Sequence, residues 1–127
     1  MKRILFFGSL LLMCAVAAST SAHRAAALFG WGQTSHNFGR IPQGKPVTAT
    51  FEFTNKGEIP LVISNARGSC GCTGVEYPKA AVMPGQAGTI KATFNAASPG
   101  AFNKTVTVES NAEGGVATLY IKGEVMR

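Results

Sequence analysis

Residues 47–54 alternate without a break. Val47, Ala49, Phe51 and Phe53 are apolar, and Thr48, Thr50, Glu52 and Thr54 between them are polar. A period of two over eight residues gives an extended chain one apolar face and one wet face, which describes a half-buried β-strand and excludes a helix. Asn55-Lys56-Gly57 then ends the run with turn-forming residues.

The same pattern recurs to the end of the chain. Residues 60–65 form a second strand with Leu61 and Ile63 on one face, and residues 74–77 pair briefly. Residues 89–95 carry Ile90, Ala92 and Phe94 inward. Residues 102–109 set Val106 and Val108 against Thr105 and Thr107, and residues 116–125 turn Leu119, Ile121 and Val125 inward. With a short first strand at residues 37–40, the count is about seven, at the short, regular spacing of a sandwich. Met83-Pro84-Gly85, Ser98-Pro99-Gly100 and residues 111–115 punctuate the strands. Strands with one apolar face each must bury those faces against one another, so the expected fold is all-β, an immunoglobulin-like antiparallel β-sandwich. Its expected core is Phe38, Phe51, Phe53, Leu61, Ile63, Ile90, Phe94, Phe102, Val106, Val108, Leu119 and Ile121.

The first 22 residues follow a different pattern. Met1-Lys2-Arg3 is cationic, residues 4–18 are uncharged and largely apolar, and Ser19-Thr20-Ser21-Ala22 supplies small residues. That order describes a secretory signal peptide cut after Ala22, with a cut after Ala27 as the alternative. The apolar run is shorter than the ~20 residues of a membrane-spanning helix. Met13 before Cys14 is bulky where a lipid-attachment site takes a small residue, which argues against lipoprotein processing at Cys14. The organisation expected is a signal peptide at 1–22, a loose Ala/Gly-rich lead-in at 23–35, and one domain at 36–127. No membrane-spanning segment is expected once the signal is removed, and the protein is expected in the periplasm or secreted.

Signal removal takes Lys2 and Arg3 and lowers the formal charge from +6 to +4. The remaining cations form no basic run, which argues against a nucleic-acid partner. The chain has no aspartate, and Glu52, Glu109 and Glu124 fall on outward strand or loop positions. It has no phosphate-binding loop and no nucleophile elbow. No catalytic residue, cofactor site or metal site is assigned from the sequence, and the chain is not read as an enzyme.

Cys70-Gly71-Cys72, the one chemically distinctive string, leaves three readings open. Residues two apart reach the roughly 4.4–6.8 Å Cα separation of a disulfide, Gly71 supplies backbone freedom, and export supplies an oxidising compartment. Such a small ring would be redox-labile. As thiolates, the pair would suit a soft ion such as Cu(I), with His23, His36, Met83 or Met126 as candidate further ligands. As a structural turn, the two cysteines would act as small apolar groups. Arg67 and Lys79 would favour thiolate if they lie close.

Asn37-Phe38-Gly39, Phe51-Glu52-Phe53-Thr54-Asn55-Lys56-Gly57, Pro60-Leu61, Ser69-Cys70-Gly71-Cys72-Thr73, Pro84-Gly85, Ser110-Asn111 and Ile121-Lys122-Gly123-Glu124-Val125 occur in that order. Over residues 36–125 the chain resembles a family of bacterial exported domains of unknown function, found in Bacteroidetes-type and Planctomycete-type envelopes. The resemblance implies an immunoglobulin-like fold akin to PapD-like and ASH/Hydin modules. Asn37 departs from the family's acidic residue, which weakens a metal role for that strand. The expected function is an exported cell-envelope binding or scaffolding module with a protein partner. The alternative is a small redox-active or Cu(I)-handling protein acting through Cys70 and Cys72.

Overall fold

The computed structural model describes residues 24–127. The expected signal peptide at 1–22, with Cys14, lies outside the described residues, as does His23. Eight strands follow in order: β1 (Phe29–Trp31), β2 (Ser35–Pro42), β3 (Val47–Asn55), β4 (Ile63–Gly68), β5 (Thr73–Glu76), β6 (Ala87–Phe94), β7 (Gly100–Ser110) and β8 (Val116–Met126). They form two four-stranded sheets, β1-β3-β6-β5 and β2-β8-β7-β4. Among the described residues no helix is long and apolar enough to cross a membrane.

The alternation of residues 47–54 does what its period requires. In β3, Ala49, Phe51 and Phe53 are buried while Thr48, Thr50 and Glu52 are exposed. Eleven of the twelve expected core residues are buried in one cluster, and the twelfth, Phe38, packs half-buried against it. The inner faces of the two sheets meet in this cluster. Phe94 of the first sheet stacks on Phe102 of the second, ring centroids 4.1 Å apart. Burying a side chain of this kind contributes roughly 1.5–3 kcal/mol.

Three features differ from the expected layout. The stretch read as a loose lead-in contains β1, which pairs with β3 from Phe29 opposite Asn55 to Trp31 opposite Phe53. Three residues are too few for a period to be visible. What fixes them is aromatic packing, with Phe29 stacked on Trp31 at 4.6 Å and both rings edge-on to Phe53. The sandwich is also not wholly antiparallel, because β2 runs parallel to β8. That pairing joins two strands far apart in sequence, and strand patterns carry no information on such a partner. Finally, β4 begins at Ile63 and not at Pro60. Leu61 forms an isolated bridge with Val82 in the other half of the fold, and Val62 N–H donates to Asn111 Oδ1 at 2.8 Å.

Asn55 ties the end of β3 to three other segments. It is 1% exposed. Its amide nitrogen donates to the carbonyls of Ile59 (2.8 Å) and Val82 (2.9 Å), and its oxygen accepts from Gly57 N–H (2.9 Å) and Leu28 N–H (3.4 Å). A Cβ on Gly57 would lie 2.7 Å from Ala27 Cα, so only glycine lets the segment before β1 lie this close. That segment belongs to the fold. Ala27 is fully buried, and the carbonyls of Ala26, Ala27 and Leu28 accept from Glu58, Glu113 and Lys56 N–H.

Candidate functional site

The register places β4 to β5, β6 to β7, and β2 to β3 connections at one end of the sandwich. Cys70 and Cys72 lie on the first of these, where the chain crosses from one sheet to the other. They are joined as a disulfide with a Cα–Cα separation of 5.2 Å. Both are half-buried, while Gly71 between them is exposed.

The loop is held from both sheets. Ser69 N–H donates to Thr105 O (2.9 Å) and Thr105 N–H donates to Ser69 Oγ (3.2 Å), fastening it to β7. Asn95 N–H donates to Cys72 O (2.9 Å), fastening it to the end of β6. Thr73, 6% exposed, completes the motif. Its hydroxyl faces both sulfurs, at 3.8 Å from Cys70 Sγ and 4.0 Å from Cys72 Sγ. A hydroxyl between two soft acceptors keeps this buried polar group satisfied.

Residues 95–100 form the facing wall. Ala96 is fully buried with φ 53°, a left-handed conformation uncommon for any residue but glycine. It is held by Gly44 N–H donating to Ala96 O (2.8 Å), and Gln43 Nε2 donates to the next carbonyl, Ala97 O (3.0 Å). Asn95 Oδ1 accepts from Ala97 N–H at 3.1 Å and tightens the turn.

Between the two walls is a cleft of about 230 Å³, lined by Cys72, Phe94, Pro99, Phe102 and Lys104 among others. The stacked Phe94 and Phe102 contribute the aromatic part of the lining. A second, open depression of about 430 Å³ shares Ala101 and Phe102 with it and continues past Asn103 and Lys122. Gly123 lies opposite Phe102 in register. A Cβ there would come within 2.8 Å of the Phe102 ring and of Gly39 O, so glycine leaves room for the ring.

The other residues singled out in the sequence do not line the cleft. His36 packs edge-on against Phe38 at 4.5 Å on β2. That strand and β4 are the two edges of one sheet, three interstrand spacings or roughly 14 Å apart. Met83 lies in the turn before β6, at the opposite end, and Met126 ends β8, its carbonyl accepting from Gln43 N–H. Arg67 Nη1 reaches Glu109 Oε1 at 3.1 Å, and Lys79 Nζ sits 3.4 Å from the Tyr77 ring centroid. Each of these cations is engaged by a partner other than the cysteines. The cation that shares the cleft with Cys72 is Lys104. Among the described residues no group of three or more His, Cys, Asp or Glu side chains gathers as a metal site. In the bridged state neither sulfur is the thiolate that a soft metal requires.

The cysteine pair was legible in the sequence, with Thr73 in the same string but without a role, while Lys104 and the 95–100 wall were not legible. Phe94 and Phe102 were legible as core residues, but not as the lining of a cleft.

Residues 29–125 match the model of a family described as Protein of unknown function (DUF1573). No curated protein matches the chain. Among solved structures, the chain is similar to a protein of unknown function from Porphyromonas gingivalis W83. The identity there is 15% and the TM-score 0.69, over 84% of this chain and 51% of that one. It is similar to PapD-like domain 7 of human CEP192, at 11% identity and TM-score 0.64, over 85% and 92%. It is also similar to the Vibrio cholerae VesB protease, at 18% identity and TM-score 0.64, over 76% of this chain and 31% of that one. The chain thus spans about half of the first of these proteins and under a third of the protease. At these identities the likeness is one of fold, an all-β sandwich of two four-stranded sheets, and fold alone assigns no activity.

Proposed function

The chain belongs to the DUF1573 family of proteins of unknown function, and from its site geometry we propose that it is a binding module of the cell envelope that docks a protein partner at its cysteine end. The observation that carries this reading is the cleft beside Cys72. Its two walls are each fixed before any ligand arrives, one by the disulfide and the Ser69–Thr105 bonds, the other by Gln43, Gly44 and Asn95. Loops already held in one conformation lose little freedom on binding, which is the main cost of recognition by loops. The edges of Phe94 and Phe102 that reach the cleft, together with Ala97 and Pro99, supply its apolar contact. The likeness to a PapD-like domain of human CEP192 is compatible with the reading and adds fold alone.

The reading includes export, with a signal peptide removed after Ala22. Cleavage there leaves Ala26 and Ala27 in the mature chain, where the fold uses them. Cleavage after Ala27 would remove both.

The test is capture from solubilised envelope fractions on immobilised protein and on a Ser98→Trp variant, which places an indole in the cleft from an exposed loop position. The expected result is a partner retained by the first and lost from the second. Equal retention by both, or none by either, would overturn the reading.

A second reading is favoured by Cys72 being both half-exposed and part of the cleft. A dithiol substrate seated there would attack one sulfur as its thiolate, forming a mixed disulfide and releasing the other cysteine as a thiol. Its second thiol would then displace the mixed disulfide, leaving the substrate oxidised and Cys70 and Cys72 reduced. Intact mass after alkylation of protein from its native envelope distinguishes the two readings. A substantial fraction with two alkylated cysteines supports exchange, and a fully bridged population that resists mild dithiol excludes it.

A further inference from the structure

Charge is unevenly placed along the sandwich. Two couples are neutral in themselves: Lys91 lies opposite Glu76 in register, and Arg67 is bonded to Glu109. Of the remaining charged residues, the cysteine end carries Arg40, Lys45, Lys104, Lys122 and Arg127 against Glu124. The opposite end carries Arg24, Lys56 and Lys79 against Glu52, Glu58 and Glu113, which balance. The whole +4 of the described residues therefore lies at the cysteine end. Sequence shows these cations only as scattered. The fold draws three of them to neighbouring positions on β2, β7 and β8, with Lys104 on the inner face opposite Ile121 and with Lys122 and Arg40 on the outer face opposite Asn103 and Glu124.

One cation lines the cleft, and two line the depression next to it. Lys104 is the one in the cleft, and Arg40 and Lys122 line the depression that shares Ala101 and Phe102 with the cleft. Lys45 follows the Gln43–Gly44 turn, which is bonded to the far wall at Ala96 and Ala97. Glu124 is the one acid among them, and its contact with Arg40 is long and exposed, 3.9 Å at 78% and 50% side-chain exposure. Such a pair holds little energy and is easily exchanged for another anion.

From this arrangement we propose that the partner segment is an acidic peptide carrying one aromatic or branched apolar side chain. The apolar side chain seats against Phe94 and Phe102 beside Cys72. The flanking carboxylates meet Lys104 within the cleft and, where the ligand passes over Ala101 to the outer face of the sheet, Arg40 and Lys122. A space of about 230 Å³ suits one large side chain, and the adjoining depression extends the site in one direction, as an elongated ligand requires. A cluster of one sign also accelerates encounter with a partner of the opposite sign and rejects like-charged ones. The proposal rests on the reading of the cleft as a docking site and specifies its ligand.

The experiment is selection of a random twelve-residue phage-displayed peptide library on the exported protein, followed by affinity measurement of the enriched peptides. The expected consensus is an apolar residue flanked by two or more Asp or Glu. Binding should weaken at least tenfold in Lys104→Gln and in Lys45→Glu/Lys122→Glu, each with an unchanged thermal midpoint, and should fall steeply from 50 to 300 mM salt. Enriched peptides that are neutral or basic yet lost on Ser98→Trp overturn the acidic-peptide proposal and leave the docking site standing. Peptides indifferent to Ser98→Trp, or no enrichment at all, overturn both.

Discussion

Replacing both cysteines, Cys70→Ser/Cys72→Ser, asks whether the disulfide holds the fold or only the cleft wall. The bridge closes a loop of three residues. In the chain-entropy account of cross-links, a loop that short restricts the unfolded chain by about 1.6 kcal/mol, against about 3 for a fifteen-residue loop. Apart from the Thr73 hydroxyl's contacts with the two sulfurs, what fastens the segment is backbone or Ser69 chemistry, including Thr73 N–H to Cys70 O at 3.3 Å and Asn95 N–H to Cys72 O at 2.9 Å, and survives the change. The double variant should therefore fold, lose at most about 1.6 kcal/mol in urea unfolding with an unchanged m-value, and melt lower by roughly 10 °C or less. Amide exchange should speed up at residues 69–73 while the protection of β3, β6 and β8 persists. A variant that is unfolded at 25 °C, or that loses more than about 3 kcal/mol, would refute the reasoning, because the loop would then be structurally essential and not a locally fixed wall.

Asn55→Ala should cost more, about 3 kcal/mol, because it leaves the carbonyls of Ile59 and Val82 and the N–H groups of Gly57 and Leu28 without their side-chain partner. Denaturant unfolding reads this directly, and a loss below about 1 kcal/mol would contradict the bonding described. Gly57→Ala should lower the thermal midpoint and weaken protection of the segment before β1, since the added carbon meets Ala27. Intact mass of protein exported by its own leader should give a chain beginning at His23, and a mature chain beginning at Leu28 would contradict the place of Ala27 in the core.

The parts of the fold that were legible in the sequence are those governed by local alternation. β3 and β6 to β8 follow from a two-residue period and the turns between them, and β5 from a short run, because burial on one face of a sheet imposes that period. β1 was hidden because Phe29, Gly30 and Trp31 show no period, and the parallel partner of β2 because pairing between chain ends leaves no local trace. The site was legible to the same limited degree. Cys70-Gly71-Cys72 stands out by residue type, but Lys104 is 32 residues beyond Cys72 and joins it only because β7 folds back past the end of β6. Arg67 and Lys79, close to the motif in sequence, are carried off by Glu109 and Tyr77. Asn55 and Gly57 read as an ordinary turn, and only the structure shows the asparagine linking three segments through its side chain.

The most direct test of the docking site is photo-crosslinking in intact cells, with a photoreactive residue placed singly at Ser98 and Ala101 beside the cleft and at Glu113 and Val116 at the opposite end. All four positions are exposed. The account predicts one shared protein adduct from Ser98 and Ala101 and none of that mass from Glu113 or Val116. The same adduct from Glu113 and Val116, or no adduct from the cleft positions, would contradict it.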